Sequence, residues 1–105
     1  NGRGLMWVSI DLCVVPIGVG VSLSPYVATC EKVIRAAGLT HQLGPNGTAI
    51  EGPWDAVMNF VRACHEALRA MGAPRIYTTL KLNTRIDREQ SFLDKVASVE
   101  QQLQG

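Results

Sequence analysis

Strict alternation of side chains over residues 6–15 is the feature that most limits how this chain can fold. Such alternation predicts a β-strand, whose two faces carry different side chains. One face is wholly apolar and consists of Val8, Ile10, Leu12 and Val14. The other face is mixed and carries Trp7, Ser9, Asp11, Cys13 and Val15. We therefore expect helices against the first face and some other covering surface over the second.

The next segment predicts a helix with clear ends. Ser24 has the side chain of an N-cap, and Pro25 suits the first helical position. The apolar spacing continues to about Ala37, after which Gly38 can end the helix in a left-handed conformation. The residues that this spacing predicts to be buried are Val27, Cys30, Ile34 and Ala37.

Two short strands and a second helix follow. Residues 40–43 and 48–51 predict the strands, and the turn between them contains Asn46-Gly47, a pair that readily takes positive φ. The helix is expected to run from Pro53 to about Met71. Its apolar stripe consists of Val57, Val61, Cys64 and Leu68.

The end of the chain predicts one more strand and one more helix. Residues 75–84 alternate again, and residues from about 91 to 103 carry apolar side chains at helical spacing. Two right-handed β–α–β crossovers in this order predict an α+β fold of the ferredoxin-like βαββαβ type. We expect a four-stranded antiparallel sheet with helices on one face, plus the C-terminal helix. These elements should form a single domain over residues 5–105, preceded by a tail at residues 1–4.

Charge and composition exclude several classes of partner. Ten basic and nine acidic residues leave a net charge of +1 with no basic run, which argues against nucleic acid and anionic membranes. No apolar stretch is long enough to span a bilayer. The three cysteines include no CxxC pair and lie in apolar segments, so we expect buried free thiols and a cytoplasmic protein.

Glu51 is the most conspicuous candidate for function. Because Gly52 and Pro53 follow it, we expect the strand to end at Glu51 and the helix to begin at once. The carboxylate would then lie beside the positive end of a helix dipole, where it could face a ligand. The alternative is that Glu51 only caps the helix.

The mixed sheet face offers three further candidates, Trp7, Asp11 and Tyr77. They could contact a ligand, or they could seal an interface between subunits. Catalytic motifs are absent from the sequence, since it has neither HExxH nor a nucleophile elbow. His41, His65 and Cys64 lack the spacing of metal ligands. A binding module is therefore favoured over an enzyme.

Several stretches, among them residues 14–18, 47–55 and 75–78, occur in an order and spacing by which the chain resembles the family of small thiamine-binding-like proteins over about residues 7–103. The most specific stretch is Thr48-Ala49-Ile50-Glu51-Gly52, within residues 47–55. The other matching stretches are residues 14–18, 57–58, 75–78, 84–85 and 95–96. The resemblance implies a ferredoxin-like fold, a homotetramer built as a dimer of dimers, and binding of thiamine or its pyrimidine part. It supplies no catalytic residues.

The resulting expectation is a non-catalytic carrier or sensor of thiamine or hydroxymethylpyrimidine, without a metal or cofactor. Its candidate ligand-binding residues are Glu51, Thr48, Asp11, Trp7 and Tyr77. An aminopyrimidine needs a carboxylate or carbonyl partner, and the cationic thiazolium favours aromatic rings and negative charge. The alternative is a structural or regulatory homo-oligomer with an anion-binding or vestigial pocket, linked, as some family members are, to cell-wall biogenesis.

Overall fold

A computed structural model describes residues 6–84 and residue 103. Its elements are β1 (Trp7–Ile17), α1 (Ser24–Ala37), β2 (Thr40–Leu43), β3 (Thr48–Pro53), α2 (Trp54–Ala70) and β4 (Arg75–Thr84). The sheet order is β2–β3–β1–β4, and every neighbouring pair is antiparallel. This confirms the ferredoxin-like α+β fold. The predicted tail at 1–4 lies outside the described residues, as does the C-terminal helix except for residue 103.

The core lies between the apolar face of β1 and the two helices, as the alternation predicts. Val8, Ile10 and Leu12 of β1 are at most 5% exposed. They pack in one cluster with Ile34 of α1, Ile50 of β3, and Val57, Phe60 and Cys64 of α2. Burial of one such aliphatic side chain contributes about 1.5–3 kcal/mol, so this face fixes which side of the sheet the helices cover.

β1 is longer than the sequence predicts, because Pro16 and Ile17 pair with Ile76 and Arg75. β3 pairs with β1 only as far as Leu12. Beyond that point one edge of β1 has no strand partner in the described chain. Pro16, which has no N–H to donate, can occupy such a half-paired position without the loss of a ladder hydrogen bond.

The first helix begins differently from the prediction. Leu23 is the N-cap residue, and its carbonyl accepts hydrogen bonds from the N–H groups of Tyr26 and Val27, both at 3.0 Å. Ser24 therefore lies inside the helix and makes no side-chain cap. Gly38, with φ of 70°, ends the helix as predicted.

Burial along α1 also departs in part from the prediction. Ile34 is buried and Cys30 half-buried, whereas Val27 and Ala37 are exposed. The predicted burial of Val27 and Ala37 is wrong. Val27 lies over a cavity rather than over close-packed side chains, which explains its exposure.

The junction between β3 and α2 corrects the prediction for Glu51 and Pro53. β3 continues to Pro53, which is the N-cap, and the helix begins at Trp54. The N–H of Trp54 donates to the carbonyl of Met6 at 2.7 Å, which holds the start of α2 against the start of β1. Gly52 pairs with Val8 in the sheet instead of forming a turn. Glu51 therefore lies within the sheet, not at a strand end.

The turn between β2 and β3 exists, but its geometry differs from the prediction. The N–H of Gly44 donates to the carbonyl of Gly47 at 2.8 Å. Neither Asn46 nor Gly47 has a positive φ. A Cβ at Gly47 would lie 2.9 Å from the carbonyl oxygen of Leu12. Glycine is required here because the turn approaches β1 closely, not because of backbone handedness.

Candidate functional site

Four of the five predicted site residues lie on the sheet face turned away from the helices. The strand register places Glu51 beside Ser9, Trp7 beside Pro53, Asp11 beside Ala49 and Lys81, and Tyr77 beside Val15. All of these belong to the face opposite the buried residues Val8, Ile10 and Leu12. We call this surface the outer face.

The outer face does not bring its two aromatic candidates together. Trp7 lies at one end of β1, and Tyr77 pairs with Val15, eight residues further along. At about 3.3 Å per residue this separation is roughly 26 Å. Trp7 and Tyr77 therefore cannot enclose one small molecule within a single chain.

Glu51 is 2% exposed, the one buried charged side chain among the described residues. Burial of a carboxylate lowers the stability of the fold unless the carboxylate is hydrogen-bonded or paired. The surroundings of Glu51 therefore matter for stability as well as for any contact with a ligand. Nearby, the Nε1–H of Trp7 is buried and has no hydrogen-bond partner in the described part of the chain. This end of the outer face is closed rather than an open binding surface.

The concave site lies on the other side of the sheet. A cavity of about 490 Å³ lies beneath α1 at the end of the sheet, where the turn at 44–47 approaches β1. α2 contributes Phe60, Cys64 and Leu68 to its wall. The volume is within the range of about 300–1,000 Å³ typical of small-molecule sites. We call it the α1 cavity.

Thr48 lines the α1 cavity, whereas Glu51 faces the opposite way. Side chains along a strand alternate between faces, and the two residues are separated by an odd number of positions. The structure therefore separates Thr48 from the other four predicted site residues.

The cavity wall contains a carboxylate that the sequence reasoning missed. Glu31 of α1 is half-buried, and its Oε1 lies 3.3 Å from Nε2 of His41 and 3.5 Å from Nε of Arg35. Nδ1 of His41 lies 3.0 Å from the carbonyl oxygen of Leu39. Both ring nitrogens of His41 thus face oxygen atoms, one of the Leu39 backbone and one of the Glu31 carboxylate. The signal in the sequence was the position of Glu31 next to Cys30, at the border of the apolar stripe.

Backbone groups complete the wall. Residues 13–15 of β1 line the cavity beyond the point where β3 stops pairing. The edge of β1 on this side has no strand partner within the described chain. An exposed strand edge offers N–H donors and C=O acceptors to whatever lies beside it. The cavity therefore combines apolar surface with Glu31, Thr48 and a polar backbone edge.

The cysteines are free, as predicted, but only Cys64 is fully buried. Cys13 and Cys30 are half-buried; Cys30 and Cys64 line the α1 cavity from the helices, whereas Cys13 lines it from the edge of β1 and alternation places its side chain on the outer face. A hydrogen bond with Cys64 lowers the pKa of Cys30 below the ordinary value for a thiol, against an opposing effect of burial. The same hydrogen bond, with burial, raises the pKa of Cys64.

A second, more open cleft of about 460 Å³ lies between α2 and the start of β4. Its charged residues are Arg62, Glu66, Arg69 and Arg75, and His65 lies among them. Glu66 pairs with Arg62 at 3.0 Å, and Nε2 of His65 lies 2.7 Å from Oγ1 of Thr78. The contact with Thr78 is that of a hydrogen-bonded packing residue.

The described residues also bear on other classes of function. They contain no group of three or more His, Cys, Asp or Glu side chains arranged to hold a metal ion. None of the helices in the same part of the chain is long and apolar enough to cross a membrane.

Sequence comparison finds relatives over nearly the whole chain. The family model described as thiamine-binding protein matches residues 10–100. A UPF0045 protein of Synechocystis sp. is 54% identical over 100 residues, which cover 95% of this chain and 83% of that protein. A UPF0045 protein of Eremothecium gossypii is 43% identical over 95 residues, which cover 90% of this chain and 90% of that protein.

Solved structures share the same architecture. A hypothetical protein of Methanocaldococcus jannaschii superimposes with a TM-score of 0.79 at 25% identity, covering 90% of this chain and 96% of that one. A Thermotoga maritima protein, described provisionally as a thiamine biosynthesis/salvage protein, gives a TM-score of 0.77 at 22% identity. The superposition covers 89% of this chain and 98% of that one. The second likeness establishes a common fold.

Proposed function

Because this chain belongs to the thiamine-binding protein family, we propose that it binds thiamine or the hydroxymethylpyrimidine part of thiamine in the α1 cavity. In this proposal the protein is a carrier or sensor and carries out no chemistry on its ligand. The observation that supports the site most strongly is the position of Glu31, a half-buried carboxylate in an otherwise largely apolar wall.

The chemistry of the cavity matches that of the ligand. The aminopyrimidine has an amino donor and ring-nitrogen acceptors, which suit the Glu31 carboxylate, the Thr48 hydroxyl and the free edge of β1. The thiazolium is a permanent cation, and Tyr26 and Phe60 supply aromatic rings in the same wall. In the bound state the ligand would share Glu31 with His41 or displace it.

The outer face has a different role in this proposal. Cys13, Val15 and Tyr77 form a partly apolar surface, and Tyr77 is 58% exposed. Exposed apolar surface of this kind marks contacts between proteins. We propose that it joins copies of the chain into a homo-oligomer, with a two-fold symmetric tetramer as the expected form. Asp11, which is exposed, then belongs to assembly, and Trp7 and Glu51 belong to the stability of the sheet.

The competing proposal is an assembly module that binds an anion. The start of α2 is a poor anion site, because the N–H of Trp54 is already bonded to Met6. The cleft with Arg69 and Arg75 is the remaining location for it in the described chain. This alternative predicts stabilisation by phosphate or sulfate and none by thiamine.

A thermal-shift panel separates the two proposals, because a ligand that binds only the folded state raises the melting temperature. The panel contains thiamine, hydroxymethylpyrimidine, phosphate and sulfate. We expect a concentration-dependent rise with thiamine or hydroxymethylpyrimidine and a smaller effect of the two anions. A rise with the anions alone would overturn the thiamine proposal.

A further inference from the structure

Cys30 and Cys64 form a pair of thiols at the junction of α1 and α2. Cys64 belongs to the buried core cluster, and Cys30 packs against that cluster from the neighbouring helix. Their side chains are hydrogen-bonded to each other, and both line the α1 cavity. Two thiols that are hydrogen-bonded between neighbouring helices, both at the wall of one cavity, are arranged as a dithiol rather than as separate packing residues.

The two thiols differ in access and in acidity. Cys64 is 0% exposed, whereas Cys30 is half-buried. The hydrogen bond from Cys64 favours the thiolate of Cys30, since it lowers the pKa of Cys30 and raises the pKa of Cys64. Because the thiolate is the reactive form of cysteine, Cys30 is the nucleophile of the pair and Cys64 the neighbouring thiol that can react next.

We propose that Cys30 and Cys64 are a redox-active dithiol, which a small peroxide reaching the α1 cavity converts to a disulfide between α1 and α2. The Cys30 thiolate attacks one oxygen of hydrogen peroxide, the O–O bond breaks, and sulfenic acid and hydroxide form. The Cys64 sulfur then attacks the Cys30 sulfur and releases the second oxygen as water. In total, two thiols and one peroxide give one disulfide and two waters.

The disulfide would also affect ligand binding in the α1 cavity, and this consequence rests on the proposed function. It joins two residues of the cavity wall and fixes α1 to α2 at that point. α1 also carries Glu31, the residue after Cys30. A shift of α1 on oxidation therefore moves the carboxylate proposed to bind the ligand, so the oxidised protein binds thiamine more weakly than the reduced protein.

Cys13 provides a built-in control, because it is the third free cysteine and alternation along β1 places its side chain on the outer face, on the other side of the sheet from the pair. Trypsin leaves Cys13 and Cys30 in one peptide, residues 4–32, and Cys64 in another, residues 63–69. A link between these two peptides could thus come from either cysteine. The variant Cys13→Ala resolves this, because only Cys30 then remains in the first peptide.

The experiment treats the reduced full chain with hydrogen peroxide, digests it without reductant and identifies linked peptides by mass spectrometry. We expect the linked peptide in the wild type and in Cys13→Ala, and none in Cys30→Ala. In Cys64→Ser a dimedone reagent should trap the sulfenic acid of Cys30. Loss of the link in Cys13→Ala, or over-oxidation of Cys30 without a link in the wild type, would overturn the proposal.

Titration with thiamine then tests the consequence separately. We expect at least tenfold weaker binding by the oxidised protein, restored by dithiothreitol. Equal affinity of the two forms would overturn the regulatory role and leave the dithiol in place. If the reduced protein does not bind thiamine at all, the proposed function fails, whereas the peptide result still decides the dithiol.

Discussion

Thr48 and Glu51 belong to the same sequence motif but lie on opposite faces of β3. Thr48 lines the α1 cavity beneath the helices, and Glu51 is buried beside Ser9 on the outer face. One motif therefore serves two surfaces of the sheet. In the proposed function Thr48 contacts the ligand and Glu51 stabilises the sheet, and the two roles can be tested independently.

Glu51→Gln tests the structural role of the buried carboxylate. The substitution keeps the size, removes the charge and replaces one acceptor oxygen by a donor, so a partner that bonds to the carboxylate loses its acceptor. We expect the free energy of unfolding to fall by about 1–3 kcal/mol while thiamine affinity stays unchanged. Urea unfolding and calorimetric titration measure the two quantities. A large loss of affinity at unchanged stability would instead restore the ligand role that the sequence alone predicts for Glu51.

Gly47→Ala tests the close approach of the turn to β1. The added Cβ would lie 2.9 Å from the carbonyl oxygen of Leu12, so the turn at the mouth of the cavity must move. We expect a loss of about 1–3 kcal/mol of stability together with weaker thiamine binding. Gln42→Ala, at an exposed position of β2 outside the cavity lining, is the control and should change both much less. Wild-type behaviour of Gly47→Ala would show that the turn is not constrained at this position.

Val15→Asp tests the outer face as an assembly surface. Val15 is half-buried beside Tyr77, and symmetric contacts would bring copies of the new charge together and desolvate them. We expect light scattering to show an oligomer for the wild type and a smaller species for Val15→Asp. Ala28→Asp, at an exposed position of α1, should leave the oligomer intact. A wild-type mass of 11.4 kDa at micromolar concentration would rule out the assembly.

Alkylation of Cys30 should depend on pH in a direction set by its lowered pKa. A lowered pKa means a larger thiolate fraction at a given pH, so the rate of labelling should rise at lower pH than for an ordinary thiol. Burial and the raised pKa of Cys64 should keep that residue unlabelled until the protein unfolds. Iodoacetamide labelling between about pH 6 and 9, followed by mass spectrometry, measures both rates. Faster labelling of Cys64 than of Cys30 in the native protein would contradict this assignment.

The strands were predictable because alternation depends on local sequence and on burial of one face. Residues 40–43 and 75–84 are strands with the predicted bounds. The helix starts were less predictable, because tertiary contacts set them. α2 begins at Trp54, one residue after the predicted start at Pro53, where the N–H of Trp54 donates to the carbonyl of Met6. The local preference of Pro53 for a first helical position does not encode this contact.

The geometry around the candidate site was harder to predict from the sequence than the fold, for two physical reasons. The alternation of side chains along a strand already places Thr48 and Glu51 on different faces, so their separation could be predicted from the sequence. Glu31 could not be found in the same way, because its place in the cavity wall depends on how α1 lies across the sheet and on His41 of β2. Similarly, the exposure of Val27 reflects a cavity that no helical periodicity reveals.

Calorimetric titration of Glu31→Gln with thiamine is the most direct test of the α1 cavity as the ligand site. A charge-assisted hydrogen bond is worth about 1.5–3 kcal/mol, which corresponds to roughly ten- to a hundredfold in affinity. Glu66→Gln is the matched control, because Glu66 is an exposed residue of α2 outside this cavity. We expect Glu31→Gln to bind thiamine ten- to a hundredfold more weakly and Glu66→Gln to bind like the wild type. Equal affinity of Glu31→Gln and the wild type would contradict the assignment of the cavity.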